Sequence, residues 1–145
     1  MSATEKSPIL IRRAAAEDVI ALAAFIEPFV RQGKLLPRTA SELEELMQFG
    51  FVAECERRIV GFAALEIYSP KLAELRSLAV SPEMQGRGVG KKLVQACVDR
   101  AHELQVLEVM AISSAEDFFL ACRFDFTLPG EKKAFFLQTR DPLPE

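Results

Sequence analysis

The sequence predicts a single mixed α/β or α+β domain. Three observations carry that prediction. Half of the 145 residues are hydrophobic and 27% are charged, a globular mix with enough apolar surface for one core. Short β-branched runs alternate with stretches whose apolar residues recur at helical spacing. One strand–helix–strand unit sits in the middle, after a strand-rich first half. Residues 8–140 read as the domain, residues 1–7 as a disordered start and 141–145 as a tail.

Ile9, Leu10 and Ile11 form a first short strand. From Ala15 the residues Val19, Leu22, Ala23, Ile26 and Phe29 fall on one helical face. Pro28 is expected to kink or split that helix, because it lacks a backbone donor and crowds the preceding turn. Gly33 reads as its stop. Ser41 with Glu44 has the spacing of a capping box for a helix through Met47. Residues 51–56 and 59–67 read as an antiparallel hairpin turning at Arg57-Arg58. A loop at Pro70-Lys71 leads to a third strand, residues 73–80. Residues 88–104 make an amphipathic helix, with Leu93, Val94, Cys97 and Ala101 on its apolar side. The apolar run 106–112 predicts a buried strand. A short helix over 115–121 and a last strand over 134–137 complete the order.

Charge and composition exclude several classes. The net charge of −3 argues against a nucleic-acid binder, which needs clustered Lys and Arg. The longest apolar stretch, residues 19–30, is broken by Glu27 and is short of the ~20 residues of a membrane span. No export signal is legible at the start. Cys55, Cys97 and Cys122 make an odd number without a CxxC pair, so a reduced, cytoplasmic setting is expected. One histidine, His102, has no partners that would complete a metal site or a Ser-His-Asp triad, and no metal is expected.

The informative segment runs from Gln85 through Gly86, Arg87, Gly88, Val89 and Gly90 to Lys91 and Lys92. It follows a predicted strand and opens a predicted helix. Its glycines allow backbone N–H groups to crowd an anion, and the helix N-terminus adds unpaired donors and partial positive charge. Arg87, Lys91 and Lys92 supply three cations with no acid between them. The bland reading is a glycine-rich turn before a surface helix. Two phosphate motifs fail by specific residues: Lys92 stands where a Walker loop needs Ser or Thr, and Lys91 where a dinucleotide loop needs its third glycine.

The segment instead resembles motif A of the GCN5-related N-acetyltransferases (GNAT), (Q/R)xxGxG/A. Leu78-Ala79-Val80-Ser81-Pro82 is similar to the strand that precedes it, and Phe118-Phe119 with Phe124 stands at the (F/Y)YxxxGF element. The resemblance implies a GNAT-like acyl-CoA N-acyltransferase fold, a bent mixed sheet with flanking helices and acetyl-CoA wedged between splayed strands. Amides of Gln85, Gly86, Arg87, Gly88, Val89, Gly90 and Lys91 would hold the coenzyme A pyrophosphate. Leu78, Ala79 and Val80 would pair with pantetheine like an added strand. Glu74 would be the general base, or alternatively a structural partner of Arg76. Phe119 replaces the usual tyrosine and Arg123 a glycine, which leaves the proton donor open. Ser113 and Ser114 are the nearest polar candidates, or else caps of the next helix, with Ser114 spaced to Asp117. Tyr68 reads as an anchor in the loop before the key strand.

A narrower resemblance concerns the acceptor. Gln32-Gly33-Lys34-Leu35-Leu36-Pro37-Arg38-Thr39 is similar to the (Q)GxLLPR(S/T) segment of N-acetylglutamate synthases. Ala73-Glu74-Leu75, and Leu128-Pro129 with Lys132-Lys133 and Arg140, match further pieces. The resemblance implies a short stand-alone form, a role in arginine biosynthesis, and Arg38 and Arg140 over the carboxylates of glutamate. Bidentate guanidinium suits that task. Otherwise Arg38 is a solvated loop residue and Arg140 pairs with Asp141 or Glu131. Another small amine, a protein N-terminus, or a non-catalytic acyl-CoA sensor remain the alternatives. The partners expected are a small-molecule amine and no nucleic acid or membrane; a homodimer is the assembly the resemblance suggests.

Overall fold

Five strands lie side by side in chain order: β1 (Leu10–Arg13), β2 (Gly50–Cys55), β3 (Arg58–Ser69), β4 (Leu72–Val80) and β5 (Glu108–Met110). Neighbours are antiparallel through β4, and β5 runs parallel to β4. The helices are α1 (Val19–Arg31), α2 (Ala40–Met47), α3 (Val89–Glu103) and α4 (Glu116–Ala121). This computed structural model describes residues 7–126, 130 and 133–139. The chain divides into two compact units, Met1–Ser114 and Ala115–Glu145.

In the first unit both faces of the sheet are covered. Leu22 and Ile26 of α1 and Leu43, Leu46 and Met47 of α2 bury against Val52, Phe62 and Ala64. Phe62 is fully buried there, and its truncation to alanine would cost about 3–5 kcal/mol. The opposite face takes α3, whose Val89, Leu93, Val94, Cys97 and Ala101 are buried. Gly61 permits that approach, since a Cβ there would stand 2.9 Å from Leu93 Cδ1 and 3.2 Å from Ala53 Cβ.

Local differences from the sequence-based expectations have identifiable causes. A 3-10 turn, Ala16–Asp18, precedes α1, and Asp18 accepts from the Ala15 N–H at 2.7 Å. Pro28 does not split α1, which is continuous through Arg31. It stands in the last turn, so the missing donor costs one hydrogen bond near a frayed end, and Leu22 and Ile26 fix the helix upstream. Gly33 ends the helix with φ +73°. The capping box belongs to Thr39 and Glu42 rather than Ser41 and Glu44: Thr39 Oγ1 accepts from Glu42 N at 3.1 Å, and Thr39 N donates to Glu42 Oε1 at 2.9 Å. Leu43, Leu46 and Met47, at i, i+3 and i+4 spacing, form the buried face of α2.

The β2–β3 turn is Glu56-Arg57, not Arg57-Arg58, and both residues have positive φ (50° and 64°), as a two-residue hairpin matching strand twist requires. The run 106–112 yields only three strand residues, and Leu107 and Ile112 are exposed. Among the described residues β5 has one ladder partner, β4, so its apolar run is half covered rather than buried.

In the second unit, Phe119 packs edge-on against Phe118 and Phe124 at centroid distances of 5.1 and 5.3 Å. Residues 133–139 form no strand, contrary to the expectation for 134–137, and Phe135, Phe136 and Leu137 are exposed. A strand exists only as a ladder member, and apolar residues alone do not supply the partner.

Candidate functional site

The glycine loop is a preformed turn into α3. Gly86 and Gly88 have φ +84° and +78°, and Gly88 is the N-cap of α3 without any side-chain cap. A Cβ at either position would meet nothing within 4 Å, so the glycines serve backbone conformation and leave the space above them open. The first N–H groups of α3 have no intrahelical acceptor and face this end of the helix dipole. Lys91 and Lys92 are exposed beside them. Arg87 is committed to the protein: Nη2 donates to the Ser7 carbonyl at 3.0 Å and Nη1 to Met84 Sδ at 3.3 Å. Such a cradle fits a phosphate.

Strand β4 leads into the loop through a 3-10 turn, Pro82–Met84, and is irregular in a way that bears on it. Opposite β3 the register runs from Ala64↔Arg76 to Phe62↔Ala79, so β4 carries an extra residue. Ser77 sits at this bulge with φ +58°. A bulge bends a strand and re-aims its side chains. On the other side, β5 pairs with β4 only over Leu72, Ala73 and Glu74. Beyond Glu74 the β5-facing edge of β4, including Leu78, Ala79 and Val80, has no ladder partner among the described residues. The β4–β5 ladder ends there, leaving an edge for an extended, amide-bearing chain.

Glu74 stands at the end of the β4–β5 ladder. It is one of two buried polar or charged side chains among the described residues, with 7% exposure. Its register partner is Glu66, and Arg76 pairs with Ala64, so all three share the face covered farther on by α1 and α2. Tyr68 OH donates to Glu74 Oε1 at 2.5 Å. Arg76 Nη1 lies 2.7 Å from Glu66 Oε2 and 3.6 Å from Glu74 Oε1. The Glu74–Arg76 pairing therefore exists, but the arginine's short contact is with Glu66. The bond to Glu74, followed by desolvation, pushes the Tyr68 hydroxyl up to about 12, so it keeps its proton at neutral pH.

Sequence reasoning placed Tyr68 in a loop; it belongs to β3, where it is the extra residue of a second bulge between Ile67 and Ser69. The available signal was the hairpin register around Pro70-Lys71, which sets Glu66 opposite Glu74 and brings Tyr68 within reach. Ser113 is exposed, three residues beyond the end of β5. The N-cap of α4 is Ala115 with no side-chain cap, so Ser114 does not cap it.

Arg38 precedes α2 and borders a groove of about 290 Å³ between α1 and α2, with Val19, Ala23, Ile26, Glu27 and Glu44 among its walls. Its Nε is buried and has no hydrogen-bond partner among the described residues. None of Glu66, Tyr68, Glu74 or Arg76 lines that groove. Arg140, with Leu128, Pro129, Glu131, Lys132 and Asp141, lies outside the described residues. Burial pushes the Cys97 thiol up to about 12, which makes it a packing residue and no nucleophile. Among the described residues no cluster of three metal-ligating side chains occurs, and no helix is long and apolar enough to cross a membrane.

Comparison with known proteins agrees with this geometry. An uncharacterized N-acetyltransferase of Chlorobaculum tepidum is 32% identical over 109 residues, covering 75% of this chain and 70% of that protein. The amino-acid acetyltransferase of Mycobacterium tuberculosis is 33% identical over 122 residues, 81% of this chain and 68% of that one. The crystal structure of N-acetylglutamate synthase from Neisseria gonorrhoeae, complexed with coenzyme A and N-acetyl-glutamate, superposes with a TM-score of 0.71 at 30% identity. That match covers 81% of this chain but only 28% of the larger protein. The sequence model of the Acetyltransferase (GNAT) family matches residues 17–124, and the chain belongs to that family.

Proposed function

We propose that this chain transfers the acetyl group of acetyl-CoA to the α-amine of L-glutamate in a cytoplasmic route to arginine. The observation that carries the acetyl-CoA half is the loop with Gly86 and Gly88 in left-handed conformation, opening an α3 without a side-chain cap shortly after the edge of β4 that has no ladder partner among the described residues. In this reading the amides of residues 85–91 bind the pyrophosphate, and Leu78, Ala79 and Val80 bind pantetheine through their backbone. An amide of β4 polarises the thioester carbonyl, which gains negative charge as the amine adds.

Glu74 takes the proton that the ammonium must lose for its nitrogen to attack. Its burial keeps it in a region of low dielectric, and Tyr68 and Arg76 compensate its charge. Ser113, exposed just past β5, or water returns a proton to the leaving thiolate. Arg38, with its unpartnered Nε, holds one acceptor carboxylate, and Arg140 the other. The support for glutamate is this orphaned guanidinium nitrogen together with the similarity to amino-acid acetyltransferases.

An acceptor screen tests the reading: acetyl-CoA is offered with single amino acids, polyamines, an aminoglycoside and peptides with free N-termini, and thiol release is measured. Selective release with L-glutamate is the expected result. Release only with cationic amines would overturn the acceptor and keep the transferase. No release with any amine, despite tight acetyl-CoA binding, would favour a sensor module.

A further inference from the structure

We propose that Tyr68 is a positioning residue for Glu74, fixing one oxygen of the carboxylate so that the other faces the acceptor amine. This rests on the reading of Glu74 as the base. The bulge in β3 adds a residue between Ile67 and Ser69, and that residue is Tyr68. Its hydroxyl reaches back to Glu74 Oε1 at 2.5 Å and lies 3.3 Å from Glu66 Oε2.

Arg76 does not take over this task. Its Nη1 is bound to Glu66 Oε2 at 2.7 Å and stands 3.6 Å from Glu74 Oε1, too far for a hydrogen bond. Among the described residues no hydrogen bond reaches Glu74 Oε2. The carboxylate thus has one oxygen held and one available, the arrangement that a base with a defined direction of attack needs. Tyr68 is 49% exposed, so its ring is not a core element whose loss would empty the interior. The charged and titratable groups around Glu74 are Glu66 and Tyr68 on β3 and Arg76 on β4, with Glu108 on β5 opposite Leu72.

The test is Tyr68→Phe, which removes only the hydroxyl, assayed in the whole chain with L-glutamate or whichever amine the acceptor screen returns. Turnover is expected to fall about tenfold or more, the scale of one hydrogen bond to a charged group. The acceptor KM and acetyl-CoA affinity should stay within a few-fold of wild type. In a Glu74→Gln background the same substitution should cost nothing further. Wild-type turnover in Tyr68→Phe, with Glu74→Gln impaired, would overturn the Tyr68 role and leave the base in place. Losses that multiply in the double variant would also overturn it. Unimpaired Glu74→Gln would remove the base itself, and with it the proposal.

Discussion

Arg87 Nη2 donates to the carbonyl oxygen of Ser7 at 3.0 Å, joining the glycine loop to the segment that precedes β1. Its other terminal nitrogen contacts Met84 Sδ, in the 3-10 turn (Pro82–Met84) just before the loop. A side chain that sequence alone offers as a phosphate cation is therefore engaged in holding the loop's shape. Arg87→Ala should lower unfolding stability by about 1–2 kcal/mol, the worth of a partly buried hydrogen bond from a charged donor. Acetyl-CoA affinity should weaken only a few-fold. Denaturant titration and calorimetric binding check the two halves; a hundredfold affinity loss would make Arg87 a direct ligand.

Gly88 gives a sharper contrast. Its φ of +78° costs a β-branched residue about 1–2 kcal/mol, although a Cβ would collide with nothing. Gly33 has the same features, φ +73° and open space, at the end of α1. Gly88→Val and Gly33→Val should thus lose similar stability. Only Gly88→Val should weaken acetyl-CoA binding, by more than tenfold, because its side chain enters the space above the loop amides. Equal affinities in the two variants would move the phosphate site elsewhere.

The Arg12–Asp18 pair makes stability depend on pH in a defined direction. Arg12 bonds Asp18 through both terminal nitrogens, at 2.8 and 2.9 Å, and this holds the Asp18 carboxyl below its ordinary value near 3.8. A depressed carboxylate contributes its stability above the unfolded value and loses it as pH falls through the folded one. Asp18→Asn should therefore be less stable than wild type by about 1–3 kcal/mol at neutral pH. The gap should hold down to about pH 4 and close below it. Parallel unfolding curves for the two proteins at pH 7 and pH 3 would show this; a gap unchanged at the lower pH would contradict it.

The parts of the site legible in sequence are those set by neighbours in the chain. Residues 85–92 announce their turn, charge and helix start within eight positions, and the structure places them accordingly. Glu74 was visible because it leads into that segment. Tyr68 was not, because its place beside Glu74 arises from a bulge and a register, and one residue more or less in β3 would turn the ring to the other face. The same limit applies to β5: an apolar run does not state how many strands will flank it. Ser41 and Glu44 have the spacing of a capping box, but so do Thr39 and Glu42, and the hydrogen bonds form at Thr39.

Arg38 carries the riskiest prediction, because it names the acceptor. In the segment similar to N-acetylglutamate synthases, Gly33 and Thr39 already have structural work, ending α1 and capping α2. Arg38, between them, is held at the lip of the α1–α2 groove, and its buried Nε has no partner. A buried donor without an acceptor costs about 1–3 kcal/mol, a cost that an incoming carboxylate would relieve. Truncating one member of such a pair commonly costs 2–5 kcal/mol of binding when the remaining charge is left alone. Arg38→Ala should therefore raise the L-glutamate KM well over tenfold, with acetyl-CoA affinity unchanged. Arg38→Lys should not rescue it, since an ammonium has no counterpart to the inner guanidinium nitrogen. Glutamate KM at the wild-type value in Arg38→Ala would refute the carboxylate contact, whereas acetyl transfer, which rests on the loop and on β4, would stand.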